Sequence, residues 1–471
     1  MKISLINPNL STSDRYGKAL GKVGPTTEPL GLAYLAAAIK QKRNDLIEII
    51  DAAALNYSEK DLFLHLKKSN PDLVGVTVLT PMYKRAKETV ELARKACPYA
   101  TIILGGPHAT IFPQETLKDI ENADFILVGE GERTITELLN AIEDGRGFNL
   151  VKGIVYRRKG EIKITKPREY IKNLDDVPLP LRGLLPMQKY KPAPTYYQRL
   201  PSHIMLVSRG CPYHCVYCSK IFGNTYRHNS IPRVIEEMKV LIYKYKVKEI
   251  IFRDDTFTID REFVKSLCEE IIKQNFKIKW TCMTRVNIVD EKLLNLMAKA
   301  GCWSIHYGVE SGSQRLLDLI EKGIKLEQVK KAFEWTRKAG IEIKAFFMLG
   351  LPTETKEESL QTLKFIKECD ADWVQVTITV PYPGTKLYTL AQQDGTLKSL
   401  KWEDYQTWAG WADKELVYVP KGRDPEELKM LQKKAMRDFY LSPKFVLRQL
   451  TKVRLYNIRM FLQGAWALVR G

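Results

Sequence analysis

The sequence predicts an α/β protein made of two successive β/α modules followed by a helical C-terminal extension. Three observations carry this. Short apolar or β-branched runs alternate with helix-length stretches from residue 2 to about 142. The alternation resumes at residue 203 and repeats through six units, and beyond about residue 390 it stops. Strand and helix in regular alternation is the pattern of parallel sheets covered by helices.

In the first module the runs Lys2–Ile6, Ile47–Asp51, Leu73–Leu79, Thr101–Leu104 and Phe125–Val128 read as strands. Pro29–Lys42, Glu59–Lys68, Tyr83–Ala96 and Arg133–Ile142 read as helices between them. A doubly wound parallel sheet over residues 1–145 follows, with ligands expected beyond the carboxyl ends of its strands. Gly105-Gly106-Pro107 and Gly129-Glu130-Gly131-Glu132 stand at two such ends, where glycine lets backbone approach a ligand closely. Taken alone, either turn is more often a tight strand-to-helix connection than a binding site.

Residues 146–200 read as a connector. Gly153–Arg157 and Glu161–Thr165 form a hairpin pattern, and Pro178, Pro180, Pro192 and Pro194 mark extended chain. Over residues 201–390 the strands are His203–Val207, Glu249–Arg253, Lys277–Thr281, Ser304–Val309, Glu342–Met348 and Trp373–Thr379. The helices between them are Pro232–Tyr245, Arg261–Gln274, Glu291–Ala300, Gln314–Ile320 with Leu326–Ala339, and Lys356–Glu368. Six such units predict a partial (β/α)6 barrel with its chemistry on the loops after the strands.

The first of those loops holds Cys211, Cys215 and Cys218 in Ser-Arg-Gly-Cys-Pro-Tyr-His-Cys-Val-Tyr-Cys. Three thiolates within eight residues suit a [4Fe–4S] cluster with one iron left open. A structural zinc site or three buried free thiols is the alternative, but zinc usually adds a second cysteine pair or spaced histidines, and His214 and His228 lack that spacing. Cys97, Cys268, Cys282, Cys302 and Cys369 stand singly among apolar residues, as buried inert thiols do.

The triplet after a first strand resembles the signature of the radical S-adenosylmethionine (SAM) superfamily. The resemblance implies that the three cysteines ligate the cluster and that its open iron chelates SAM, which is cleaved to a 5′-deoxyadenosyl radical. It also assigns residues at the later strand ends to SAM: Asp254 and Asp255, Glu310 and Ser311, and the backbone of Met348, Leu349 and Gly350. Pro29–Ala38, the Gly105–Thr110 turn and Gly129–Glu132 are similar to the cobalamin-binding Rossmann-like domain that precedes the barrel in one branch. By that resemblance Thr77, Leu79, Gly105, Gly106, Pro107, Gly129, Glu130, Gly131 and Glu132 contact cobalamin. The D-x-H-x-x-G motif is absent, so no histidine is expected on cobalt, and His108 is expected to stabilise its turn. The methylthiotransferase branch carries three further cysteines in this domain, and here only Cys97 is present.

The 471 residues are 45% apolar and 27% charged, an ordinary globular composition. No signal peptide or spanning run is legible, and the cysteine usage suits a reducing compartment, so a cytoplasmic protein is expected. The net charge of +19 is concentrated late: residues 421–471 hold 12 Lys or Arg against 4 Asp or Glu. Within residues 391–471, Trp402, Tyr405, Trp408 and Trp411 are candidates to cover an apolar substrate. A helix over Phe445–Leu468 carries Arg448, Lys452 and Arg459 on one side, with Leu450, Val453 and Phe461 elsewhere. It is expected either to meet an anionic membrane or to dock on the protein. No nucleic-acid recognition module is present.

The resemblance implies C–H activation by the 5′-deoxyadenosyl radical and methyl transfer from methylcobalamin to carbon, with a second SAM restoring the methyl group. Oxidative cyclisation or contraction of a tetrapyrrole or hopanoid-like ring is the alternative. The expected partners are a small molecule, lipid or tetrapyrrole in kind, and an electron donor such as flavodoxin or ferredoxin. No side chain beyond the cluster ligands is expected to be catalytic.

Overall fold

The structure, a computed structural model, describes residues 1–10, 25–407 and 414–450. Trp408, Trp411, Lys452, Val453, Arg459, Phe461 and Leu468 lie outside them, as does the side chain of Leu450. The chain divides into two compact units. Among the described residues, one contains 1–10, 26–190 and Lys220–Asn229, and the other contains Pro25, Lys191–Ser219 and the chain from Ser230.

The first unit is a seven-stranded sheet of β1 (Lys2–Asn7), β2 (Leu46–Asp51), β3 (Leu73–Thr77), β4 (Thr101–Gly105), β5 (Phe125–Leu127), β6 (Ile154–Arg158) and β7 (Glu161–Ile164). Their order is β2-β1-β3-β4-β5-β6-β7. The first five pair in parallel, and their central residues, Ile3–Ile6 and Val74–Val76 among them, are buried. Strands covered on both faces read as apolar runs for this reason. The covering helices include α1 (Leu30–Lys42), α2 (Glu59–Ser69), α3 (Tyr83–Ala96) and α4 (Gly131–Glu143). At the start of α2, Ser58 and Asp61 cap each other's backbone amides. The β6–β7 hairpin read from the sequence as connector belongs to this sheet: β6 pairs antiparallel with β5, Ile126 opposite Val155. Ile154, Val155 and Tyr156 are all buried, so this strand is apolar on both faces, which accounts for its recruitment.

The second unit is a parallel sheet in sequential order. Its strands are β8 (Ser202–Met205), β9 (Glu249–Phe252), β10 (Lys279–Thr284), β11 (Cys302–Glu310), β12 (Glu342–Leu349) and β13 (Trp373–Ile378). Six β/α units in sequence make the partial barrel. β10 starts two residues later than its sequence pattern and runs on to Thr284, because the pairing of Lys279 with Glu249 sets its register. Helices α5 (Ile231–Lys239), α6 (Arg261–Lys273), α7 (Glu291–Lys299), α8 (Gln314–Leu319), α9 (Leu326–Lys338) and α10 (Lys356–Glu368) follow the strands. Asp260, Asp290, Ser313 and Thr355 cap four of them. The single helix expected over Pro232–Tyr245 stops at Lys239 and widens into a turn closed by Tyr245 N donating to Val240 O at 3.3 Å. One continuous core joins the outward faces of the strands, Phe252, Trp280, Tyr307 and Phe347 among them, to these helices.

After β13 come α11 (Lys386–Gln393), α12 (Pro425–Tyr440) and α13 (Pro443–Leu450). α12 covers the last strand, whose edge would otherwise leave amides and carbonyls open. Gln432 Nε2 donates to Val376 O at 3.0 Å, and Tyr440 Oη donates to Val374 O at 2.6 Å. The described turns of the basic C-terminal helix dock on protein: Arg448 pairs with Asp370 at 2.7 Å, and Phe445 packs edge-on to Trp373. No helix among the described residues is long and apolar enough to cross a membrane.

Candidate active site

The cysteine loop leaves β8 and is held at its root by Asp254, the residue two places beyond β9. Asp254 is fully buried, and its Oδ1 accepts from Val207 N at 3.0 Å, Ser208 N at 2.5 Å and Ser208 Oγ at 2.6 Å. Burial pushes its carboxyl up to about 6. The side chain expected to meet SAM is therefore committed to the loop, while its neighbour Asp255 is exposed. Gly210, at φ +87°, turns the chain into Cys211. Further along, Val216 N donates to Ile320 O at 3.1 Å and Leu387 N to Val216 O at 2.9 Å, tying the loop to helix ends of the barrel.

Arg285, one residue after β10, fastens the middle of the loop. Its Nη1 lies 3.5 Å from Cys215 Sγ, its Nη2 donates to Lys322 O, and its guanidinium sits 3.7 Å from the Tyr213 ring centroid. Thr256 Oγ1 lies 3.8 Å from Cys211 Sγ. Cys218 is the exposed member of the three. Even so, the protein mass around it and the negative charges of Asp255, Cys215 and Cys211 push its thiol up to about 12. The thiols are thus near enough to repel one another as thiolates, which a cationic metal core relieves.

No three His, Cys, Asp or Glu side chains among the described residues close on a single metal ion. A zinc ion would need its thiolates at about 2.3 Å from one centre. Three thiols on one loop fit a polynuclear iron–sulfur cluster, in which each thiolate takes a separate iron.

At the end of β11 the strand bulges between Gly308 and Glu310, and Glu310 takes a left-handed backbone at φ +74°. A bulge re-aims a side chain. Here it turns Glu310 Oε1 to accept from Tyr217 Oη at 3.0 Å and Lys322 Nζ at 2.7 Å. Tyr217 belongs to the cysteine loop, and burial and the adjacent Glu310 push its hydroxyl well above the usual phenol range. Tyr217, Glu310 and Met348 share a cavity of about 290 Å³ with Tyr196, Phe346, Gln375, Thr377, Val380, Tyr382 and Thr407. A carboxylate, a thioether and aromatic walls beside the cysteine loop fit a cationic, adenine-bearing sulfonium ligand.

The other expected SAM residues stand behind that cavity. Ser311 is fully buried, its Oγ 3.2 Å from Thr362 Oγ1 and accepting from Ser313 N at 3.1 Å, so its side chain fixes the turn. Leu349 is buried in the core, and its carbonyl accepts from Thr379 N at 2.8 Å. Gly350 follows it at φ +76°. Tyr217, Lys322 and Arg285 complete the site. Of these, Arg285 carries a usable signal, an arginine directly after a strand, and Tyr217 stands between two cysteines, whereas Lys322 has no local signal.

In the first unit the expected cobalamin contacts gather at the carboxyl ends of three adjacent strands. Thr77 ends β3 and Leu79 follows it, Gly105 ends β4 and leads into Gly106-Pro107, and Gly129–Glu132 joins β5 to α4. At Gly106, φ +96°, a Cβ would stand 2.9 Å from Thr77 Oγ1 and 3.0 Å from Val78 O, so only glycine fits. At Gly129 the same position is open, and Leu79 is an exposed apolar side chain. Open backbone beside an exposed leucine fits the broad face of a corrin ring. Glu130 is instead spent on the fold: its Oε2 accepts from Ile171 N at 2.6 Å and both its oxygens from Arg227 Nη1 at 3.0 and 3.1 Å. Glu132 is buried as well. His108 is 1% exposed, 3.1 Å from Thr80 Oγ1 and packed against Tyr83 and Phe112. Burial pushes it down to about 4, and as a core side chain it is turned to the fold.

Residues 205–366 match the radical SAM superfamily, and residues 17–139 match the B12 binding domain. An uncharacterized methyltransferase of Pyrococcus horikoshii is 35% identical over 466 residues, covering 98% of each chain. The anaerobic magnesium-protoporphyrin IX monomethyl ester cyclase of Rubrivivax gelatinosus is 31% identical, covering 82% of this chain and 69% of its own. The structure of TsrM, a radical SAM methyltransferase of Kitasatospora setae with cobalamin and a [4Fe–4S] cluster bound, superposes with a TM-score of 0.72 at 19% identity, covering 94% of this chain and 89% of that one. The chain belongs to the cobalamin-dependent radical SAM methyltransferase family. It is an enzyme whose cofactors are a [4Fe–4S] cluster, SAM and cobalamin, acting on a small molecule.

Proposed function

We propose that the enzyme methylates an unactivated carbon of a small molecule held in the barrel cavity, and that the cavity shared by Tyr217, Glu310 and Met348 is the reaction chamber. The observation that carries this is the hydrogen-bonded Tyr217–Glu310–Lys322 group, which joins the cysteine loop to a fixed carboxylate on the cavity wall. When bound, the cluster and SAM supply a 5′-deoxyadenosyl radical and cobalamin supplies a methyl group.

The chain's own residues hold and orient. Cys211, Cys215 and Cys218 hold the cluster. Glu310, kept in place by Lys322, accepts from the amino group of SAM, with Asp255 as a second acceptor. The Met348–Gly350 backbone receives the adenine. Thr77, Leu79, Gly105, Gly106, Pro107, Gly129 and Gly131 offer backbone and small side chains to cobalamin. Tyr196, Phe346 and Tyr382 give the chamber aromatic walls suited to a tetrapyrrole or lipid-like substrate.

Cleaving SAM needs one electron, so a flavodoxin or ferredoxin is the proposed donor and the cytoplasm the proposed location. The basic excess of residues 421–471 gives the chain an electrostatic reason to lie against an anionic membrane face. Likeness to the ester cyclase supports ring oxidation as a second reading.

Anaerobic reconstitution with iron, sulfide, cobalamin and SAM carrying a deuterated methyl group tests the choice. Lipid and tetrapyrrole extracts should yield a product carrying that methyl together with 5′-deoxyadenosine. Release of 5′-deoxyadenosine with a product that lacks the label would replace methylation by ring oxidation.

A further inference from the structure

The barrel interior holds three basic side chains in one neighbourhood. His306 on β11 and Lys344 on β12 are register partners, and Arg253 follows β9 by one residue. His306 is 1% exposed and Lys344 3%. Neither ring nitrogen of His306 has a hydrogen-bond partner. Lys344 Nζ donates to Thr195 Oγ1 at 2.9 Å, and among the described residues neither it nor Arg253 is paired with a carboxylate. The Tyr196 ring is common to all three: Lys344 Nζ is 3.3 Å from its centroid, Arg253 Cζ 4.8 Å, and the His306 ring 4.9 Å.

The carboxylates of the barrel interior are already engaged. Glu249 accepts from Gln198 N, Arg199 N and Trp303 Nε1 at 2.8–3.0 Å. Glu342 accepts from Trp373 Nε1 at 2.9 Å, and Glu310 is held by Lys322 and Tyr217. Burying cationic groups with only an aromatic face between them is costly unless an anion arrives to pair with them. Consistent with that, burial and then the charge of Arg253 push Lys344 well below the usual amine range. Tyr196 also lines the reaction cavity, so this layer lies directly behind the cavity wall.

We propose that Arg253, His306 and Lys344 form an anion-binding layer that receives a carboxylate or phosphate group of the substrate, reached from the cavity past the ring of Tyr196. The substrate is then an anionic molecule whose acidic end is anchored in the barrel while its reacting carbon stays near the cysteine loop. Arg253 supplies a planar pair of donors, Lys344 a point charge, and His306 a ring N–H. Specificity follows because a neutral analogue would leave these groups unpaired. This assignment rests on the methyl-transfer reading for what enters the cavity, but its test reads binding and not turnover.

The full-length protein, carrying cluster, cobalamin and SAM so that their own anionic groups are already placed, is titrated anaerobically with inorganic phosphate or with succinate. Succinamide and matched sodium chloride serve as controls, and thermal unfolding is the readout. At least one of the two anions should raise the unfolding midpoint saturably, and which one does so separates a phosphate end from a carboxylate end. Succinamide and chloride should have no such effect. Lys344→Met and Arg253→Gln should each weaken the response at least tenfold. Lys344→Met removes a buried amine and should itself unfold at a higher temperature than the parent; if it fails to fold, the half-buried Arg253→Gln decides. Absence of saturable stabilisation by either anion, or a response kept in full by the variants, overturns the assignment. A normal anion response in a protein that transfers no labelled methyl would overturn the methylation reading and leave the anion layer standing.

Discussion

Gly308 lies beneath the carboxylate of Glu310, so close that a Cβ at position 308 would stand 2.5 Å from Glu310 Oε1 and 2.8 Å from Lys322 Nζ. The bulge, the left-handed backbone of Glu310 and the missing side chain at 308 are therefore one device, which folds the carboxylate back along its own strand to meet Lys322. Gly308→Ala should push this pair apart and cost about 1–3 kcal/mol at the site. Release of 5′-deoxyadenosine should fall roughly ten- to a hundredfold, with the iron content unchanged.

Asp254 secures the root of the cysteine loop through two backbone amides and a hydroxyl. Asp254→Ala strands those amides in a buried place and should lower stability by about 2–4 kcal/mol. Iron retained after anaerobic reconstitution should drop with it. Asp254→Asn keeps one acceptor oxygen and should be milder in both assays.

Arg285 places a fixed positive charge next to Cys215 Sγ. A cation there favours the more negative, reduced state of the cluster. Arg285→Gln should make the cluster harder to reduce, by about 1–2 kcal/mol for a charge several ångströms away, or roughly 40–90 mV for one electron. A redox titration followed by electron paramagnetic resonance measures it, and an unchanged potential would remove Arg285 from this role.

Glu249 is fully buried, and its carboxyl is pushed up to about 7 by that burial. Between its ordinary value of 4.5 and about 7 the unfolded chain has given up this proton while the native chain retains it. The unfolded state then binds fewer protons, so the contribution is present in full below that window and is lost as pH rises through it, on the order of 3 kcal/mol in all. Glu249→Gln should flatten this part of the profile, seen as a smaller fall in unfolding midpoint between about pH 4.5 and 7.

Most strands and helices were legible because parallel strands buried on both faces leave apolar runs and capped helices leave amphipathic ones. The exceptions have physical causes. The hairpin of β6 and β7 was read as connector because a short pair with a polar turn carries no sign of which sheet it joins; the burial of Ile154 and Val155 settled that. In the site, the three cysteines were singled out by their spacing, and the structure places all three on the one loop that leaves β8. Asp254, Ser311 and Glu130 were also singled out, since a motif locates a strand end but not the direction its side chains take. Asp254 and Glu130 proved to hold loops together. Lys322 went unseen because its partner Glu310 lies 12 residues away across a turn. Arg253, His306 and Lys344 share a neighbourhood only because strand register places them there, and no local pattern announces that.

Tyr217 sits on the metal-binding loop and touches the carboxylate proposed to greet the nucleotide's amine. Any loosening of the sulfur-bearing segment is therefore transmitted to the acceptor. An iron-stripped preparation would lose its grip on the cosubstrate twice over, once for want of the open metal corner and again through a misplaced glutamate. On the proposed roles, the mineral core would have to be in place before the sulfonium is fully gripped.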